Sequence, residues 1–142
     1  MKTCLLVIML TFALVLSVFH LSGAQEWKTL NKAQVSWDAV TQDIDGKPLP
    51  ATDTIKYEVI LADSVNKENI KVLWTGPEVT ALITLTAEGK YFLGVRALRY
   101  QGEEKIGESE ISWSDDPAAT NGSPFGVVYF ILPKKPTGVT LN

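Results

Sequence analysis

Apolar and polar residues alternate along most of the chain after residue 25, with the period of two that is typical of half-buried β-strands. The clearest case is the segment 55–62, in which Tyr57, Val59 and Leu61 share one face and charged residues share the other. The helical period of 3.6 is not the pattern of this part of the chain. The sequence therefore predicts an all-β domain.

Further runs of this kind are separated by clusters of Gly, Pro, Asp and Asn. They predict strands at residues 34–38, 69–75, 80–85, 91–100 and 106–114. The residues Gln101 to Glu104 form a turn that joins the last two strands in a hairpin, and residues 41–54 form a long loop. About seven short strands at this spacing are typical of a β-sandwich.

Residues 1–24 have the pattern of a secretory signal peptide. A positively charged start precedes an apolar run from Leu5 to Phe19, and the small residues Ser22 and Ala24 favour cleavage before Gln25. An uncleaved membrane anchor is the alternative, but it needs about 20 apolar residues and this run is shorter. We expect export to the periplasm, the cell surface or the extracellular space, without stable membrane insertion after cleavage.

The charge of the exported chain is acidic. The whole sequence of 142 residues has 13 Lys and Arg and 16 Asp and Glu, and Lys2 is the one charged residue before Gln25. The remaining 118 residues therefore carry 12 basic and 16 acidic side chains, a net charge of −4. Since no dense basic run is present, we expect no nucleic-acid partner.

The single His and the single Cys, His20 and Cys4, both lie in the predicted signal peptide. Without them the exported chain lacks the usual ligands of zinc, copper, haem and iron–sulfur sites, and it lacks the base of a Ser-His or Cys-His pair. Oxygen ligands for calcium could come from Asp43–Gly46 or Asp115–Asp116, but an ordinary turn is the favoured interpretation of the first. We expect no metal, no cofactor and no enzymatic activity.

The segment Leu85–Tyr91 contains a Leu and a Tyr six positions apart, with Gly89 in the turn between them. It resembles the tyrosine corner of fibronectin type III domains, where the Leu ends strand E and the Tyr opens strand F. Other family positions follow in order: Trp37 on strand B, Tyr57 on strand C, residues 91–97 as strand F and residues 109–114 as strand G. The resemblance covers about residues 33–114, and the loop around Asp45–Leu49 is similar to that of bacterial members.

The resemblance implies a fibronectin type III, immunoglobulin-like β-sandwich of about seven strands over residues 25–114. Residues 115–142 are then a C-terminal extension with an added strand at 125–132. The alternation of apolar positions places six residues between the two sheets. We expect these to form structural core: Trp37, Tyr57, Leu85, Tyr91, Val95 and Ala97.

Two features depart from the family pattern. The first strand, at Glu26–Leu30, is short and poorly marked, and the extension contains a nearly continuous apolar run. The run comprises Phe125, Gly126, Val127, Val128, Tyr129, Phe130, Ile131 and Leu132. Such a run would aggregate if it were left unpaired, so we expect it either to complete the domain's own sheet beside strand A or to add to a sheet of a partner. The first alternative is favoured. Residues 134–141 resemble the Pro-led start of another strand A.

These observations favour a non-catalytic exported interaction or structural module whose partner is another exported protein or a second copy. The alternative is a carbohydrate-binding module of the cell envelope that binds a polysaccharide. Such a module needs coplanar exposed aromatic side chains, and the candidates are Trp27, Trp74, Tyr100 and Trp113.

Overall fold

The computed structural model describes residues 24–63, 65–134 and 137, which form nine β-strands and no helix. The strands are β1 (Glu26–Thr29), β2 (Lys32–Ser36), β3 (Asp53–Ala62), β4 (Lys71–Gly76), β5 (Thr80–Thr84), β6 (Gly89–Gln101), β7 (Glu104–Glu108), β8 (Ser112–Trp113) and β9 (Phe125–Tyr129). The predicted all-β class is confirmed. Apart from Ala24, the predicted signal peptide lies outside the described residues. In the described part, no helix is long and apolar enough to cross a membrane.

The strands form two sheets that face each other in a sandwich-like arrangement. The larger sheet has the order β1-β9-β6-β3-β4, and the smaller sheet consists of β2 and β5. The long antiparallel pair of β3 and β6, from Asp53 opposite Gln101 to Ala62 opposite Phe92, forms the centre of the larger sheet. The core between the sheets contains Val59, Ala81, Ile83, Leu85, Leu93 and Val127.

Three short strands share one edge of β6. Along this edge β7 pairs with residues 98–101, β8 with residues 94–95 and β9 with residues 89–91. The predicted hairpin at Gln101–Glu104 is present, with Gly102 at φ +63° in its turn. The single strand predicted at 106–114 is wrong, because the Ser109 hydroxyl accepts a hydrogen bond from the Ala97 amide at 2.9 Å and interrupts the backbone ladder there.

The C-terminal apolar run is part of the domain's own sheet. The strand β9 pairs antiparallel with β6 and parallel with β1, from Glu26 opposite Phe125 to Thr29 opposite Val128. The pairing is the arrangement that the sequence favoured, but the strand ends at Tyr129 and not at Leu132. Residues 130–132 continue beyond it without a strand partner among the described residues.

Candidate binding groove beside an open strand edge

One edge of β2 has no strand partner in the described part of the chain, where β2 pairs with β5 alone. Two backbone hydrogen bonds show which residues of β2 and β5 form hydrogen-bonded pairs. The Leu85 N–H donates to the Asn31 carbonyl at 2.8 Å, and the Trp37 N–H donates to the Val79 carbonyl at 3.1 Å. Hydrogen-bonded and non-bonded positions alternate along antiparallel strands. The backbone N–H and C=O groups of Lys32, Gln34 and Ser36 therefore point away from β5. We call these groups the open edge.

A groove of about 510 Å³ lies beside the end of the open edge. One wall is the end of β2 at Val35 and Ser36 with Trp37, which follows it, and the floor is the inner face of β6 at Val95 and Ala97. The opposite wall is the loop between β8 and β9, together with the start of β9. Groove-lining residues of that wall are Ser112, Trp113, Ser114, Ala119, Thr120, Asn121 and Phe125. Among the described residues the smaller sheet has two strands, and these leave the larger sheet uncovered here.

The loop that forms the opposite wall is held by its own backbone. Asp116 accepts hydrogen bonds from the Ala118 amide through its carboxylate and from the Thr120 amide through its carbonyl. The Gly122 amide donates to the carbonyl of Pro117 at 2.8 Å, and both Asn121 and Gly122 have positive φ. These bonds preform the wall, which lowers the entropy that a ligand would otherwise have to remove from it.

The aromatic side of the groove is fixed by packing. The Trp37 ring lies 5.5 Å from the Tyr57 ring and 5.7 Å from the Trp74 ring. The Tyr57 hydroxyl accepts a hydrogen bond from the Val40 amide at 2.9 Å, which ties the long loop to β3. The indole N–H of Trp37 is buried and has no acceptor among the described residues. These contacts hold the aromatic rings on this side of the groove in place, with the Trp37 indole N–H left unpaired among them.

The groove has one acidic residue and no basic residue among its described lining side chains. That residue is Asp38, which is exposed two residues after the end of β2. The other polar lining groups are hydroxyls and the Asn121 amide. A basic group on a ligand would meet an opposite charge at this end.

The six residues predicted as core differ in burial. Tyr57, Leu85 and Ala97 are buried, whereas Trp37, Tyr91 and Val95 are half-buried. Trp37, Tyr57, Val95 and Ala97 also line the groove, so these positions form its surface as well as the packing beneath it.

The predicted interaction strand divides into two parts. Val127 and Val128 are buried, and Phe125 and Tyr129 are half-buried. Phe130, Ile131 and Leu132 are 50%, 69% and 83% exposed. The first part belongs to the domain, and the second part presents apolar surface to solvent beyond the end of β9.

Two of the four aromatic candidates for a sugar platform share a face of the larger sheet. Trp27 packs on Phe92 with ring centroids 5.4 Å apart, and Lys67 Nζ lies 4.2 Å from the Phe92 ring centroid and 5.3 Å from that of Trp113. Lys67 is held there by an ion pair of 2.6 Å with Asp115. The Lys67 ammonium group therefore covers one face of the Trp113 ring.

The remaining two candidates lie elsewhere. Trp74 packs edge-on against Trp37 on the inner face, and Tyr100 lies under Lys56, whose Nζ is 4.7 Å from its ring centroid. The four aromatic side chains do not form one platform.

A surface cluster of charges lies on the outer face of β3, β6 and β7. Arg96 pairs with Glu58 at 2.7 Å and with Glu108 at 3.2 Å, and Lys105 pairs with Glu108 at 2.9 Å. The hydrogen bond from Lys105 and the nearby positive charges of Arg96 and Lys105 lower the pKa of the Glu108 carboxyl below its ordinary value.

The described residues contain no group of three or more His, Cys, Asp or Glu positioned to hold a metal ion.

The open edge was missed by sequence reasoning. Lys32, Gln34 and Ser36 alternate with apolar residues, which is the pattern of any solvent-facing strand face and carries no sign of a missing neighbour. The one hint was the poorly marked strand at Glu26–Leu30, which in the structure joins the larger sheet and not β2.

Comparisons with protein-family models, curated proteins and solved structures gave no match.

Proposed function

We propose that this protein is an exported, non-catalytic interaction module with a fibronectin type III type of sandwich. The observation that carries the proposal is the open edge of β2 beside a preformed groove. An edge strand with unpaired backbone groups is a template for an added strand, and proteins use this pairing, called β-augmentation, to bind extended segments of partners.

The geometry of the groove fits such a ligand. An extended strand alternates its side chains, so one set would lie on the apolar floor of Val95 and Ala97 while its backbone pairs with β2. Natural proteins usually protect exposed edges with charges, Pro or a covering loop. The open edge contains no Pro, and Lys32 at one end is its one charged residue, since Gln34 and Ser36 are neutral.

Three observations support the family assignment within this proposal. The Tyr91 hydroxyl donates to backbone carbonyls upstream, as the tyrosine corner requires. The two-sheet arrangement and the position of Leu85 in the core agree with it.

For export, we expect a host that carries the full-length gene to release a chain whose N-terminal sequence begins at Gln25; a chain that retains residue 1 would argue against export through a cleaved signal.

The binding role can be tested with a Pro on the open edge. The Gln34 N–H does not bond to β5, so Gln34→Pro removes an outward donor and blocks the edge without breaking the β2–β5 ladder. Leu82→Pro is a matched control, because Leu82 lies directly opposite Gln34, also follows an Ala, and has its N–H on the outer side of β5.

The exported protein would be immobilised and exposed to envelope and secreted fractions of its source, and retained proteins would be quantified by mass spectrometry. We expect a protein retained by the wild type and by Leu82→Pro to be lost with Gln34→Pro. Equal retention by all three chains, with circular dichroism spectra that show all three folded, would contradict a role for the open edge.

A carbohydrate-binding module is the second candidate, and the observation that favours it is the placement of Trp27 and Trp113 on one face of the sheet beside Phe92. Trp27 is 40% exposed. However, Lys67 lies over one face of Trp113 and Lys90 Nζ lies 5.2 Å from the Trp27 ring centroid, so cations already occupy stacking faces. Tryptophan fluorescence titrated with a panel of polysaccharides tests this candidate; a saturable change that Trp27→Ala removes would favour it over strand addition.

A further inference from the structure

We propose that the C-terminal arm of a second copy, residues 130–142, enters the groove and adds a strand to the open edge of β2. This proposal depends on the binding role of the groove proposed above and names its occupant. The copies would then associate head to tail, with the arm of one chain in the groove of the next. Contacts of this kind use two different surfaces of the molecule.

The length and pattern of the arm fit the open edge. The edge spans the five residues of β2, which is about 17 Å of extended chain, and residues 137–141 have the same length. In this segment Thr137, Val139 and Leu141 alternate with Gly138 and Thr140. An added strand would place Thr137, Val139 and Leu141 on one face.

The charge of the arm complements the groove. The arm contains Lys134 and Lys135 and no acidic residue, whereas the exported chain as a whole carries a net charge of −4. Asp38 is the one charged residue that lines the groove in the described part of the chain. The arm is therefore a basic segment of an acidic chain. An arm that runs antiparallel to β2 would place Lys134 and Lys135 beyond Ser36, near Asp38 and away from Lys32.

The direction of β9 favours a second copy over the chain's own arm. Phe125 lines the groove at the start of β9, and the strand runs away from it to Tyr129. Beyond that end, the Ile131 amide donates a hydrogen bond to the Glu88 carboxylate, which holds the start of the arm at the end of the sandwich remote from the groove. The Leu30 amide donates to the Val128 carbonyl and the Leu85 amide to the Asn31 carbonyl, so this end of β9 lies beside the start of β2, whereas Asp38 follows the far end of β2. Three residues of chain span at most about 11 Å, so Lys134 of the same chain, three residues after Ile131, would not reach Asp38.

The exposed apolar residues at the start of the arm give a further reason for association. Phe130, Ile131 and Leu132 are consecutive and are each at least half exposed. Contiguous exposed apolar residues mark interaction surfaces in soluble proteins. A second copy seated on the arm would cover this surface.

Two variants of the full chain separate donor from acceptor. Gln34→Pro blocks the acceptor edge and keeps the arm, whereas the double variant Val139→Asp with Leu141→Asp keeps the edge and places two negative charges in the segment that would enter the groove. Leu82→Pro is again the matched control. Each protein would be purified as the host exports it, and its mass would be measured by sedimentation velocity over a range of concentrations.

We expect the wild type and Leu82→Pro to self-associate with increasing concentration and each of the other two variants to remain monomeric. Loss of edge pairing should raise the dissociation constant for self-association at least about tenfold. A mixture of the two monomeric variants should form a one-to-one complex, since one supplies an intact edge and the other an intact arm. This complementation would not result from two misfolded proteins.

Several outcomes would overturn the proposal. A wild type that stays monomeric at all concentrations excludes the second copy. If the Gln34 amide of that monomer then exchanges faster with solvent in the double Asp variant, the occupant is the chain's own arm. If the wild type captures a different exported protein and Gln34→Pro does not, the open edge binds another partner. The proposed function then stands without this inference. Self-association that Leu82→Pro abolishes would place the contact on β5.

Discussion

The hydroxyl of Tyr91 donates a hydrogen bond to the backbone carbonyl of Ala87 at 3.0 Å and shares it with the carbonyl of Glu88 at 3.2 Å. This contact closes the turn between β5 and β6, and the Tyr91 ring packs against the core that includes Leu85. The turn needs Gly89, whose φ is +158° and whose α-carbon lies so close to the Tyr91 ring that an added Cβ would come within 2.9 Å of it.

Removing that hydroxyl should destabilise the domain. Tyr91→Phe keeps the ring in the core but leaves two carbonyls without this donor, so we expect the free energy of unfolding to fall by about 1 kcal/mol. Urea denaturation followed by fluorescence measures the change. Tyr100→Phe is the control, because the Tyr100 hydroxyl has no hydrogen bond among the described residues; an equal loss in both variants would contradict the role of the turn.

A pair of alanine substitutions tests where the domain ends. Val127 is 1% exposed and belongs to the core, so Val127→Ala should lower the free energy of unfolding by about 2 kcal/mol through lost burial and a small cavity. Ile131 is 69% exposed, so we expect Ile131→Ala to leave the stability of the dissociated chain unchanged. Both values would come from urea denaturation at low protein concentration. A Val127→Ala variant as stable as the wild type would show that β9 is not part of the cooperative unit.

The ion pair between Arg99 and Asp53 joins β6 to the start of β3. The guanidinium Nη2 lies 2.5 Å from the Asp53 carboxylate, whose side chain is 1% exposed, whereas the Arg99 side chain is 37% exposed. Arg99→Met would leave a buried carboxylate without its charge partner, and we expect a loss of about 2 kcal/mol, less than for a fully buried pair.

Asp53→Asn should cost less than Arg99→Met, since it leaves no buried charge behind. Lys47→Met is the control for removing an exposed pair: the Lys47 and Asp45 side chains are 75% and 69% exposed, so we expect almost no change. Thermal unfolding at neutral pH measures all three. A larger loss of stability in Asp53→Asn than in Arg99→Met would contradict this account.

The pH dependence of stability should include a contribution from Glu108. Its pKa is lowered in the folded protein by the Lys105 hydrogen bond and by the charge of Arg96. The folded state therefore binds this proton less readily than the unfolded state. The stabilisation is present above the ordinary pKa of Glu and is lost as the pH falls through the lower, folded value.

Lys105→Ala should raise the pKa of Glu108 toward its ordinary value, because the first of these causes is removed. A titration of the Glu108 carboxyl by NMR measures the shift directly. Lys71→Ala removes a positive charge from another part of the same sheet and should leave the titration of Glu108 unchanged. A Glu108 pKa that is the same in Lys105→Ala as in the wild type would contradict the assignment.

The sequence by itself determined the class of the fold and much of its local structure. The period of two placed Tyr57 and Val59 on an inward face, and the hairpin at Gln101–Glu104 followed from its turn residues. These features depend on neighbours along the chain, which a single sequence displays directly. The apolar run after Pro124 also required a partner strand on physical grounds, because so much exposed apolar surface is unstable in water.

Only the tertiary structure decided which strands are neighbours. Alternation shows which side chains face inward, but it does not show whether β1 pairs with β2 or with β9, since strand pairing joins residues far apart in sequence. The break at Ser109 depends on the distant Ala97 amide, which the hydroxyl reaches across the sheet. The open edge of β2 is present because β1 pairs with β9 in the larger sheet, and no residue of β2 itself indicates that pairing.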